Sequence, residues 1–418
     1  MTILILYNNW EFRSRNTLLE NIKSFENYSD HTVVYLNYSY GIPLELENQY
    51  FDLIVYHYSL LILKWHGNEN VFKSEGFRIL ASLKGLKIAM PQDEYVYSDI
   101  MCNFIKDQSI STIYTCFFEQ DYHKVYPTYK TNLRNYFTVF PGYVDNKTVL
   151  RWKNSVKGHR DRQIDLGYRA RKNPFWLGSL GILKWKVTEV FMMYSDKLKM
   201  DISNDGTKVI LGEKWYKFLA ECRCVLGVES GSSLLDVDGS IRKKVDHYQK
   251  NNPEAEFDEV AQHCFPNMDW NIHLATLSPR HFEACITKTC QVLVEGQYAG
   301  VFKPGVHYIE IKKDWSNIYE VLRLIQDKEY CEQLAENAYN DIILSDQYSY
   351  KNLVAQICDF AAQHVIPDYK TNSRIVEKLR FRNKYPMLAS PIRWFSFLIK
   401  FTVKSSLVKL NLLKYFSK

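Results

Sequence analysis

The sequence predicts an α/β protein of two parallel-sheet domains followed by a basic amphipathic tail. Three observations carry that reading. The chain has 418 residues, more than one hydrophobic core usually serves. Short β-branched or aromatic runs alternate with helix-compatible stretches, the rhythm of a parallel sheet wrapped by helices. Charge is also unevenly placed: from Lys378 onward there are ten Lys or Arg and no Asp or Glu, although the whole chain carries a net charge of only +6.

In the first half, Ile3–Tyr7, Thr32–Leu36, Asp52–Tyr56, Lys87–Met90, Thr112–Cys116 and Phe137–Phe140 read as strands, with Arg13–Ser24 as a helix. The first strand runs into Asn8-Asn9-Trp10, a polar loop at a carboxyl end, where open α/β sheets keep their ligand sites. The basic, polar stretch from about Asp145 to Gln163 reads as a crossing, which gives domains at 1–150 and 151–370. Beyond it, Ile164–Tyr168, Lys197–Ile202, Cys224–Val228, Gln291–Val294 and Tyr308–Ile311 read as strands. Helices are expected near Lys184–Tyr194, Trp215–Ala220, Pro279–Thr289, Asn317–Ile325, Glu329–Ile342 and Tyr350–Val365. Within the tail, 371–418, the stretch Pro386–Lys418 sets Lys400, Lys404, Lys414 and Lys418 among Trp394, Phe395, Leu398, Phe401, Leu410, Leu413 and Phe416. Lysines interrupt it too often for a spanning helix, so a helix lying on an anionic membrane surface is expected.

Hydrophobic residues at 46% and charged residues at 24% fit a folded chain and leave little room for long disorder. The nine cysteines are scattered without paired CxxC spacing, which argues against a disulfide framework or a zinc site. MTILILYNNW has no basic leader and reads as a strand, so a cytoplasmic protein at the inner face of the membrane is expected. The basic excess sits in an apolar-rich tail without a nucleic-acid module, so no nucleic-acid partner is expected.

Three segments carry chemistry. In IDLGYRARKNPFWLGSLG, Ile164–Gly181, a strand delivers Arg169, Arg171 and Lys172 into a loop before a helix, an arrangement that suits phosphates or carboxylates and equally suits interdomain salt bridges. In LGVESGSSLLDVDGSIRKK, Leu226–Lys244, Glu229, Ser230 and Ser232 offer small and polar contacts to a ligand, and Asp236 and Asp238 offer carboxylates as base, nucleophile or cation stabiliser. The closing Glu of a calcium loop is missing, so metal is the weaker reading. In the third, Trp270–Asn317, Ser278 and Pro279 start a helix whose first turns carry Arg280 and Glu283, fit for a phosphate and for ribose hydroxyls. His273 precedes it as a candidate acid/base or phosphate ligand.

Taken in order, QDEY (Gln92–Tyr95), IDLGYRAR, ESGSSLLDVDG (Glu229–Gly239) and SPRHFEA (Ser278–Ala284) resemble bacterial GT-B glycosyltransferases of O-antigen and capsule clusters, most closely the retaining β-Kdo transferases of lipopolysaccharide and capsule synthesis. The resemblance covers approximately residues 2–365. It implies two Rossmann-like domains facing a cleft, with the acceptor on the first, the nucleotide sugar on the second and no metal required. It also implies CMP-Kdo as donor, a glycan or lipid-linked glycan as acceptor, and transfer with retention through a sugar bound to Asp238 or Asp236. Asp165 would be the partner acid/base, His273 a phosphate-side helper, and Arg280 and Glu283 the phosphate and ribose contacts. One departure stands out: the first glutamate of the usual E-x7-E pattern falls at Ala275, which argues against an ordinary retaining hexosyltransferase. A UDP- or GDP-hexose donor is the alternative inside the enzyme class. Outside it stands a catalytically silent nucleotide- or glycan-binding scaffold.

Overall fold

A strand covered on both faces can carry apolar side chains in both directions, and the first strand does so. The structure, a computed structural model, describes residues 1–9 and 16–389. Strands β1 (Thr2–Tyr7), β2 (Thr32–Asn37), β3 (Tyr50–His57), β4 (Lys84–Met90), β5 (Thr112–Thr115) and β6 (Asn135–Thr138) form a parallel sheet in the order β2-β1-β3-β4-β5-β6. In β1, Ile3 stands beside both Val33 and Leu53, and Leu4 and Ile5 are buried. Leu4, Ile54 and Tyr56 pack with Phe77 and Phe104 on one face, while Ile3, Ile5 and Val55 pack with Phe25, Leu353 and Ile357 on the other.

The second half repeats the scheme. Strands β7 (Ile164–Arg169), β8 (Met200–Ser203) and β9 (Cys222–Gly227) are followed by a small antiparallel pair, β10 (Ser230–Ser232) and β11 (Leu274–Thr276), and then by β12 (Cys290–Val294) and β13 (Tyr308–Ile311). The larger sheet is parallel in the order β13-β12-β9-β7-β8. All eleven strands expected from the sequence are present within three residues of their expected ends. β10 and β11 were not expected, because three residues are too few to show a period.

The chain crosses between domains twice at one place. Val144 N–H donates to Tyr348 O at 2.8 Å, and Tyr350 N–H donates to Val144 O at 3.0 Å, so the outgoing and returning strands run side by side. The helix Tyr350–Ala362 then lies on the first sheet. The helix Ser373–Lys384 follows it there: Ile375, Val376 and Leu379 join the first core, Lys378 pairs with Glu45, and Arg382 donates to the carbonyls of Tyr40 and Gly41. Residues 350–384 therefore pack on the first sheet, although the sequence groups 350–370 with the second domain and 371–384 with the tail. The amphipathic stretch from 390 onward lies outside the described residues, as does Trp10. Among the described residues, no helix is long and apolar enough to cross a membrane.

A further segment departs from the expected domain plan. Residues 233–272 belong to the second half of the sequence, yet Leu234, Leu235, Val245, Val260 and Phe265 join the core of the first domain. Backbone bonds fasten them: Asp236 N–H to Tyr95 O and Tyr97 N–H to Asp236 O, each at 2.8 Å. Gly239 permits the contact, since its φ is +81° and a Cβ there would stand 2.0 Å from the Tyr97 ring.

Candidate functional site

At the carboxyl ends of β7 and β9, beside the start of the helix Pro279–Ile286, lies a cavity of about 250 Å³ lined by Tyr168, Arg169, Arg171, Lys184, Ser230 and Arg280 among others. A second cavity of about 130 Å³ shares Trp215, Ser278 and Arg280 with it and reaches Asn16, Tyr216 and Glu283. Together they make one trough from the second domain toward the first, with Arg280 in the middle.

Ser278 caps the helix, its side chain accepting from Arg280 N–H at 3.4 Å, with Pro279 in the first turn. The Arg280 guanidinium lies 5.2 Å over the Trp215 ring and donates to Arg169 O. Trp215 in turn donates its indole N–H to Glu283 Oε2 at 2.6 Å. This chain of contacts holds a cation, an aromatic face and a carboxylate in sequence along the trough. Lys184 adds a second cation, donating to Ser230 Oγ at 3.2 Å. Burial pushes its pKa down to about 8, opposed by the charge of Asp93 and assisted by Arg280. Arg169 has a different task. It pairs with Asp201 at 2.8 Å, donates to the carbonyls of Tyr168 and Asp201, and covers Phe218, so it is a wall whose charge is already answered.

The structure thus brings Arg169, Arg171, Ser230, Ser278, Arg280 and Glu283 together. Seven other expected site residues fall elsewhere. Asp165 sits at the amino end of β7, opposite the trough, accepting from Lys199 N–H at 2.9 Å and pairing with Arg223 at 2.9 Å. There it anchors the sheet's far edge, away from the trough where the resemblance would put a partner acid/base. Asp236 is buried and accepts from Ile241 and Arg242 N–H at 3.2 and 2.8 Å, closing the start of the helix Ser240–Asn251. Asp238, exposed, accepts from Ser240 N–H at 2.9 Å. Both carboxylates are engaged by one helix start, and neither lines the trough. The His273 ring lies tilted against Trp270, centroids 5.0 Å apart, Lys172 pairs with Glu189, and the Ser232 hydroxyl is buried against Leu177 O and Leu234 O. Glu229 accepts from Gln297 and Tyr298 N–H at 3.1 and 2.7 Å, pinning that loop.

Two residues of the trough, Lys184 and Trp215, escaped the sequence reading, and Asp93, near it, was met only as part of the QDEY loop. Lys184 and Trp215 lie inside expected helices, where nothing in the spacing sets them apart. Asp93 lies within QDEY at the carboxyl end of β4, exposed and in the left-handed region at φ 53°, an unusual conformation that marks a position worth attention. The loop is rigid: Lys64 Nζ donates to Asp93 O and Val96 O at 2.7 and 2.9 Å, and the buried Glu94 accepts from Thr115 Oγ1 at 2.5 Å and Cys116 N–H at 2.9 Å. Asp93 belongs to the first domain and lies within electrostatic reach of Lys184 in the second.

Glu20, near the far end of the trough, gives a pH signature. Burial first, and the charge of Asp145 second, raise its pKa from 4.5 to about 7. The folded protein therefore holds a proton that the unfolded chain releases near pH 4.5. Stability from this group is full below that pH and is lost as pH rises to about 7, by about 3 kcal/mol. Glu20→Gln should remove that slope and raise the melting temperature at pH 8, measured beside wild type across about pH 5 to pH 8.

No family model and no curated protein matches the sequence. Solved structures do match. An α-glucosyltransferase solved with UDP-glucose and DNA containing an abasic site superposes with a TM-score of 0.50 at 10% identity, covering 86% of this chain and 99% of that one. The DNA-modifying enzyme β-glucosyltransferase gives 0.47 at 9% identity over 86% and 99%, and Anabaena HepE with UDP gives 0.46 at 11% over 87% and 100%. At such identities the likeness is one of fold, and the fold is GT-B: two Rossmann-like domains with a cleft between them.

Proposed function

We propose that this chain is a glycosyltransferase that takes its sugar from a nucleoside diphosphate donor. The observation that carries the reading is the trough. Arg280 and the capped helix start offer charge and amides to a diphosphate, Glu283 stands where ribose hydroxyls would donate to it, and Lys184 faces the leaving group from the other wall. The GT-B fold supports it, since a solved protein with this fold holds UDP-glucose.

The same geometry weighs the donor. Transfer of Kdo from CMP-Kdo through an aspartyl-linked sugar requires a free carboxylate at the anomeric carbon, and Asp236 and Asp238 are both engaged by the helix Ser240–Asn251. A UDP- or GDP-hexose fits better, with phosphate charge answered by Arg280, Arg171 and Lys184 and without need of a metal. The acceptor is proposed to be a glycan or lipid-linked glycan of surface polysaccharide synthesis, met at the membrane through the basic amphipathic sequence beyond 390.

Thermal unfolding with UDP, GDP and CMP tests this. A ligand at about 100 times its Kd stabilises the native state by about 2.7 kcal/mol, so UDP or GDP should raise the melting temperature measurably. Stabilisation by CMP alone would return the donor to CMP-Kdo, and a flat response to all three would remove the nucleotide reading.

A further inference from the structure

Cys224 on β9, Cys290 on β12 and Cys331 on the helix Lys328–Ala338 are far apart in sequence yet converge in the core of the second domain. The register places Cys290 directly beside Cys224. Sγ of Cys224 is 3.4 Å from Sγ of Cys331, and all three sulfurs lie within 4.8 Å of one another. Among the described residues this is the one group of three or more such side chains whose ligand atoms are close enough to share an ion. Three thiolates around one metal at about 2.3 Å stand about 4 Å apart, so the sulfurs are already spaced for it.

Two buried arginines stand near the sulfurs. Arg162 is buried, and all five of its hydrogen bonds go to neutral acceptors: the carbonyls of Lys157, Cys222, Thr287 and Lys288 and the Thr289 hydroxyl. Cys224 and Cys290 lie within its electrostatic reach. Arg223, next to Cys224 in sequence, is also buried; it pairs with Asp165 at 2.9 Å, while its Nε has no hydrogen-bond partner. Arg162, hydrogen-bonded only to neutral groups, would gain from an anionic cluster beside it, because a buried charge is costly without a partner.

We infer that Cys224, Cys290 and Cys331 form a site for one soft, thiophilic metal ion, which fastens β9, β12 and the helix Lys328–Ala338 together. Thiolates select soft ions over hard ones. With a divalent ion, three thiols release three protons and the site carries one net negative charge, which Arg162 answers. The site lies in the sheet and helix core, and none of the three cysteines lines the trough, so its loading is independent of the proposed transfer reaction.

Cadmium is the probe. Because the sulfurs are buried, Cd(II) is supplied in the growth medium so that the site fills as the chain folds. The purified protein should hold one cadmium per chain, show a thiolate-to-cadmium charge-transfer band in the ultraviolet, and melt at a higher temperature than protein grown without cadmium. Cys331→Ser and Cys290→Ser should each lose the ion and the band, whereas Cys116→Ser, in the other domain, should keep both. Wild-type protein without the band, or a band that persists in both the Cys331 and Cys290 variants, overturns the site. So does a Cys224–Cys331 disulfide in the freshly purified chain. The wild-type measurement decides even where a variant fails to fold.

Discussion

Replacing Arg280 with alanine is expected to weaken UDP binding by about 10- to 100-fold while leaving the melting temperature nearly unchanged. The side chain is exposed, its own contacts being the Trp215 ring and one carbonyl of Arg169, so its removal uncovers no core. What disappears is the guanidinium at the middle of the trough, and charge-assisted hydrogen bonds of this kind contribute about 1.5–3 kcal/mol each. Arg280→Lys should recover only part of the loss, because an ammonium brings a point charge without the planar fork that grips two phosphate oxygens. Calorimetric titration of wild type and both variants with UDP checks the order. Equal affinity in all three would place the diphosphate elsewhere.

Most of the fold was legible because its signal is local. Eleven strands showed as short apolar runs, and a parallel strand buried on both faces needs only such a run. The helix Pro279–Ile286 announced itself through Ser278 and Pro279, and with it came Arg280 and Glu283. Less legible was where each carboxylate points. Asp165 stands four residues before Arg169 on the same strand, and a strand advances about 3.3 Å per residue, so the two ends of β7 belong to opposite edges of the sheet. Asp236 and Asp238 look like free acids in the string DVDG. Their partners, the amides of residues 240–242, become visible only when that stretch turns into a helix. The docking of residues 233–272 on the first domain was equally hidden, because it depends on long-range contacts such as Gly239 against Tyr97 that leave no period in the sequence. Lys184 shows the same limit from the other side: a lysine on an amphipathic helix gains its role only from the strand ends it meets.

Asp93→Asn is expected to lower kcat for sugar transfer by about 10²- to 10⁴-fold, the usual range for loss of a general base, with UDP affinity unchanged. The reasoning begins with position. Glu283 is occupied by Trp215, Glu229 by two loop amides, and Asp236 and Asp238 by a helix start. Asp93, exposed and hydrogen-bonded by Tyr95, is the carboxylate that the first domain places within electrostatic reach of Lys184. An acceptor hydroxyl attacking the anomeric carbon must give up its proton, and a carboxylate held on a rigid loop can take it. Asparagine preserves shape and tolerates the left-handed backbone at this position, so the loop held by Lys64 and Glu94 should keep its form. A transfer assay with UDP-glucose, run beside titration with UDP, separates the outcomes. Full turnover in the variant would release Asp93 from the chemistry. Parallel loss of turnover and UDP affinity would instead make it a partner of Lys184 in holding the donor, because a group that acts only on the acceptor's proton has no influence on how tightly the nucleotide binds.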